Sequence, residues 1–462
     1  MIVKKFSEII LFNDQAILGL LLMFISFFLF SGALIYQSVT YLKYTVVIIA
    51  VLAVFFALKK SSFSALFVIF FNIFFVLPFV VLGDDFLERG TFYNFMLSES
   101  SVLRMLSHLY LFLFVFSGLT LLTKSVSIKY QVSKEIFTLT KFYHIFLLIT
   151  GVYMIVFNIR EALYVWEHGY ITLVGGAGDF KKNIVEFFVE ILFLCLVIFG
   201  LKLKNRLALL LLVLYCFTWM LGGQRMPGFM MLVVLWVYVW PTSFRGFSTL
   251  FYIVSAFFLG VPLLNIIAAL RIGGFELLSE INLWHSYVDI WHVIGFSFDT
   301  LKAVFFYDGQ FESSITPFAK LFQVLSVFME RVFNIPVVFE QAGFAGEFSR
   351  YFNLSDYELK GVTFASSGIA EAYFFFGYFG ALIYALIVFC CCRIFDWCLL
   401  RNSFISLAVL FLFAPKFFVA VRNELFGWLW EGIIVFSVFL VIYLICKPFF
   451  VNTLVCNRLR LL

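Results

Sequence analysis

Long apolar runs alternate with short polar links along this chain, and the rhythm breaks once, between about Arg271 and Ala365. A bilayer core about 30 Å thick needs roughly 20 apolar residues per helical crossing. On that measure the pattern predicts about twelve helices, near residues 16–36, 44–58, 62–83, 105–123, 142–159, 184–201, 207–221, 228–244, 247–270, 366–390, 403–421 and 427–446. The predicted class is an all-α polytopic membrane protein. Residues 1–270 carry the first nine helices, 271–365 form one large external loop with amphipathic helices, and 366–462 carry the last three helices and a short cytoplasmic tail.

The basic residues sort by side. One set of links holds Lys4, Lys5, Lys59, Lys60, the lysines from Lys124 through Lys141, Lys202, Lys204, Arg206, Arg245, Arg393, Arg401, Lys447, Arg458 and Arg460. The other set is poorer, with Lys43, Arg89, Arg104, Arg160, Lys181, Lys182, Arg225, Lys416 and Arg422. Cytoplasmic links collect Lys and Arg, while long loops cross largely regardless of charge. Both termini are therefore expected in the cytoplasm and the 271–365 loop outside.

Composition sharpens the class. Hydrophobic residues make up 64% of the chain and charged ones 13%, about half the charge of an ordinary soluble domain. The net charge of +5 is scattered over helix ends and gives no nucleic-acid surface. The 68 phenylalanines read chiefly as lipid-facing bulk. The eight cysteines lie mostly in apolar runs without metal-ligand spacing, so neither disulfides nor structural zinc is expected. The first apolar run has no small-residue cleavage site, so no cleavable signal is expected.

The external links hold the candidate chemistry. In Gly222-Gly223-Gln224-Arg225-Met226-Pro227, Arg225 is either a snorkelling arginine at a hairpin or a phosphate ligand facing an interior cavity. Arg271 follows an apolar run and precedes Gly273-Gly274; interfacial anchoring is its plain alternative. Arg422-Asn423-Glu424 joins the last two runs, where a local Arg–Glu contact would be ordinary. Guanidinium groups keep their charge and grip phosphate bidentately, so three at helix mouths would suit a lipid-borne diphosphate. Glu371 lies about one turn inside a predicted span, which is costly unless it is paired or meets water. Gly377 and Gly380 read as a tight helix-packing face.

In the loop, His285 and His292 share a helix face beside Trp284 and Trp291. That pattern fits a helix lying at the membrane surface better than a metal site. The Gly175–Gly178 run follows no strand and lacks the phosphate-loop lysine. No metal-binding aspartate motif is present, and neither metal nor other cofactor is expected.

Together these residues resemble the bacterial O-antigen and oligosaccharide repeat-unit polymerases. The likeness rests on the Phe-rich layout, the Gly222-Gly223-Gln224-Arg225 turn, the stretch from Ser367 through Glu371 and Tyr373 to Gly377 and Gly380, and the late external Arg422. It covers nearly the whole chain in layout, through short motifs. Some family members carry arginine-x10-glycine loop motifs; Arg271 and Arg331 have no glycine at that spacing.

The resemblance implies a fold similar to the membrane glycosyltransferases with a helical core (GT-C-like), in the bacterial inner membrane. It implies a substrate of oligosaccharide units on undecaprenyl diphosphate, polymerised at the periplasmic face, and a chain-length regulator protein as partner. Arg225, Arg271 and Arg422 would then bind the diphosphate, with Glu371 or His285 taking the acceptor proton. A lipid-linked oligosaccharide flippase and an O-antigen ligase are the rival readings.

Overall fold

The computed structural model describes residues 14–88, 96–123, 137–168, 184–222, 225–239, 297–307, 367–421 and 425–453, with single helical positions at 255, 260, 262, 266, 321 and 325. These residues are almost entirely helical. In chain order they form α1 (Asp14–Ile35), α2 (Val39–Lys60), α3 (Ser62–Phe75), α4 (Leu77–Leu82), α5 (Asp84–Glu88), α6 (Glu99–Leu122), α7 (Lys141–His168), α8 (Ile184–Lys202), α9 (Arg206–Leu221) and α10 (Arg225–Val239). Further along come α11 (Gly368–Phe376), a 3-10 turn (Gly377–Phe379), α12 (Gly380–Arg401), α13 (Phe404–Val419) and α14 (Leu425–Phe450). Two three-residue strands, β1 (Phe137–Leu139) and β2 (Val451–Thr453), pair antiparallel with Phe137 opposite Thr453. The apolar pattern gave no sign of this ladder.

Among the described residues seven helices are long and apolar enough to cross a membrane: 17–35, 39–60, 62–82, 99–122, 142–167, 368–401 and 425–449. Shorter apolar helices cover 206–221, 226–239 and 404–419. Eleven of the predicted runs thus coincide with helix, α8 included. The run 247–270 lies outside the described residues, apart from single helical positions.

Polar residues set the helix ends. Ser38, Ser61, Ser98, Ser367 and Ser403 each accept a backbone N–H of the first turn, and Asn205 accepts two. Such caps satisfy donors that hydrocarbon would leave stranded.

Several expectations shift. Helix α7 runs on to His168, so Glu161, Trp166 and Glu167 belong to its last turns and not to a link. Lys416 lies inside α13 and pairs with Glu431 of α14. A large share of the phenylalanine is core, not lipid-facing bulk. Phe63, Phe67, Phe71 and Phe75 recur every fourth residue of α3 and are fully buried; the first three pack against Phe112 and Phe116 of α6 and Phe417 and Phe418 of α13. The i, i+4 spacing puts these rings on one helix face. Lipid instead meets α1, α2 and α7, where Phe24, Phe28, Val51, Phe142 and Ile149 are exposed.

Helical residues 297–306 fall within the predicted external loop, yet 297–305 are buried in the bundle. Phe298 packs on Phe75, Phe79 and Phe86, while Phe305 packs on Tyr373 of α11. Part of the loop therefore enters the protein core.

Candidate functional site

Three helix mouths meet at one end of the bundle. Phe229, four residues into α10, and Phe418, at the end of α13, both pack on Phe70. The start of α10 and the end of α13 are therefore level. The Gly368 N–H donates to the Ala420 carbonyl at 3.1 Å, which brings in the start of α11. The Glu161 carboxyl of α7 lies close beside Gly222, the cap of α9. The far end is equally defined: the Tyr238 hydroxyl donates to the Leu201 carbonyl at 3.2 Å and to Asn402 Oδ1 at 3.4 Å.

Glu371 lies in the first turn of α11, 2% exposed. Its Oε2 accepts the backbone N–H of Leu425 at 2.6 Å and of Phe426 at 3.3 Å. These are the first two residues of α14, whose leading N–H groups lack partners within the helix. A carboxylate there also complements the positive end of the helix dipole. Glu371 thus fixes how α14 begins.

Glu371→Ala would strand two buried donors at about 1–3 kcal/mol each. Glu371→Gln retains an accepting oxygen and gives up mainly the charge–dipole part, about 0.3–1 kcal/mol. Melting of the purified protein in detergent is expected to show a large drop for Ala and a small one for Gln. Equal drops would remove the capping role.

Of the other sequence candidates, Arg225 is the first residue of α10. Arg271, His285 and Arg422 lie outside the described residues, as does the Gly175–Gly178 run. Gly377 and Gly380 play a different part from the packing face expected of them. Gly377 has φ +56°, a left-handed value, and Gly380 presses against the carbonyl of Ala372 in the preceding helix. They break one apolar run into α11 and α12.

Two sets of polar residues inside the bundle were not picked out by sequence reasoning. Asp299 Oδ1 and Lys302 Nζ are 2.6 Å apart, both fully buried, with Lys302 Nζ 3.7 Å from the Phe86 ring centre. Burial pulls the Lys302 ammonium down to about 8, against the opposing pull of Asp299. His108 of α6 is also fully buried, edge-on to Tyr373 and Phe305. An i, i+3 charge pair in an assumed surface loop, or one histidine in an apolar run, gives no signal until packing places it.

No curated protein matches the chain, and no solved structure does. The family model of the O-antigen polysaccharide polymerase Wzy matches residues 17–452. That match spans every described helix from within α1 to the last strand, and the chain accordingly belongs to the O-antigen polysaccharide polymerase family.

Proposed function

We propose that this chain joins oligosaccharide repeat units carried on undecaprenyl diphosphate, at the outer face of the bacterial inner membrane. Twelve crossings, cytoplasmic termini and a large periplasmic loop at 271–365 complete that reading. A chain-length regulator is its membrane partner. The acceptor hydroxyl of a new unit attacks the anomeric carbon of the growing chain, the bond from that carbon to the diphosphate oxygen breaks, and the hydroxyl proton passes to a base. Lipid diphosphate is a good leaving group and needs charge stabilisation more than a proton donor. Arg225, Arg271 and Arg422 supply it, since guanidinium binds phosphate bidentately.

The observation that carries this reading is that α10 begins level with the end of α13, while the start of α11, bonded to Ala420, sets the buried Glu371 carboxylate on the first N–H groups of α14. Arg225 opens α10, and Arg422 follows in sequence between α13 and α14. Glu371 and His285 are the candidates for taking the acceptor proton. A base is lost in Glu371→Gln, whereas a cap survives it, so polymerisation by that variant separates the two roles.

A strain lacking the protein should carry single repeat units on its lipid A core, and restoring the gene should return the ladder of chain lengths. Loss of all surface units would identify a flippase. Polymer accumulating on lipid diphosphate would identify a ligase. Arg225→Ala and Arg422→Ala are each expected to abolish the ladder with membrane levels unchanged. Normal ladders in both would overturn the diphosphate assignment.

A further inference from the structure

We propose that His108 is a hydroxyl-reading residue for the carbohydrate substrate, at the seam where segment 297–306 meets α6 and α11. The proposal rests on the polymerase reading above and adds a sugar contact outside the three arginine mouths.

His108 lies on α6, a little over two turns in from Glu99. It is completely buried. Among the described residues neither Nδ1 nor Nε2 makes a hydrogen bond of ordinary distance and angle; the Ile369 backbone is the polar group that acts on the ring. A neutral imidazole offers one donor and one acceptor, and burying both unanswered is costly. An apolar ring would serve better for packing alone. Ionisable residues within membrane segments are otherwise paired or face a pathway.

The surroundings point to the ligand. Tyr373 meets the imidazole edge at 5.1 Å between ring centres, and Phe305 lies at 5.8 Å. The wall is thus assembled from α6, α11 and segment 297–306. A sugar hydroxyl both donates and accepts, so one hydroxyl or a neighbouring pair answers both ring nitrogens, while aromatic rings cover the apolar C–H face. A charged phosphate would find no cation among these three side chains. Tyr373 is two residues from Glu371, on the opposite side of α11. The helix therefore presents its carboxylate toward α14 and its phenol toward His108.

Three experiments on the full-length protein decide the matter. His108→Phe removes both nitrogens at similar volume and should accumulate normally, while polymer yield in the restored strain falls at least about tenfold, the scale of one or two lost hydrogen bonds. His108→Gln, which keeps one donor and one acceptor, should recover part of the yield. The imidazole nitrogen signals of His108, one of five histidines and assigned from the Gln variant, should shift when free repeat-unit oligosaccharide is added to 15N-histidine-labelled protein in detergent. If His108→Phe polymerises like the parent, or the signals do not move, the imidazole holds only a trapped water and the proposal is wrong. If His108→Phe fails to accumulate, the titration of the unsubstituted protein decides alone. A parent gene that restores no ladder at all defeats the polymerase reading instead.

Discussion

Lys302→Met is expected to cost about 3–5 kcal/mol of folding stability, the penalty for removing one partner of a buried ion pair. Asp299 and Lys302 are both fully buried and 2.6 Å apart, so the substitution would leave the Asp299 carboxylate without its ammonium neighbour. Replacing both, as Asp299→Leu with Lys302→Met, should recover most of the loss, because apolar substitutes of similar volume are often neutral for such pairs. Denaturant titrations of the purified protein in detergent, run on both single variants and the double, give the coupling. Additive losses would mean that the pair acts as two unrelated side chains. The result also bears on function, since segment 297–306 carries both charges and supplies Phe305 to the wall around His108.

Gly380→Ala is expected to be the most damaging of the small substitutions. A methyl group there would stand 2.2 Å from the Ala372 carbonyl oxygen and 2.5 Å from its carbon. The obstacle is backbone, so no rotamer relieves it. The cost should reach the upper end of the overpacking range, about 3 kcal/mol, with loss of accumulated protein. Gly32→Ala is the matched control: nothing lies within 4 Å of the added methyl, and the helix gains up to about 1 kcal/mol in propensity. Equal accumulation of the two variants would show that the α11–α12 break tolerates rearrangement.

The helices were legible because a crossing helix must be apolar along its whole length, and α1, α2, α6 and α14 announce themselves that way. Their interior partners were not. A membrane helix is apolar on its lipid side and on its protein side, so sequence cannot tell the buried Phe67 from the exposed Phe24. Glu371 stood out as a carboxylate inside an apolar run, but its partners, Leu425 and Phe426, are more than fifty residues away and contribute only backbone. Segment 297–306 was hidden by its charges: Asp299 and Lys302 made it look solvated, when each is what permits the other to be buried. His108 lacked any local pattern.

The β1–β2 ladder has a consequence for assembly. Only 11% of the most apolar stretch of α14 is buried inside the protein, so packing alone secures this helix weakly. Its far end is fastened instead by backbone pairing of Val451–Thr453 to the lead-in of α7, beside the Thr140 hydroxyl bonded to the Phe449 carbonyl. The strand leading into α7 leaves the ribosome some three hundred residues before its mate. The clasp therefore closes only after α14 has been made, and a chain cut off before residue 451 would hold all the described helices while leaving α14 unlatched at that end.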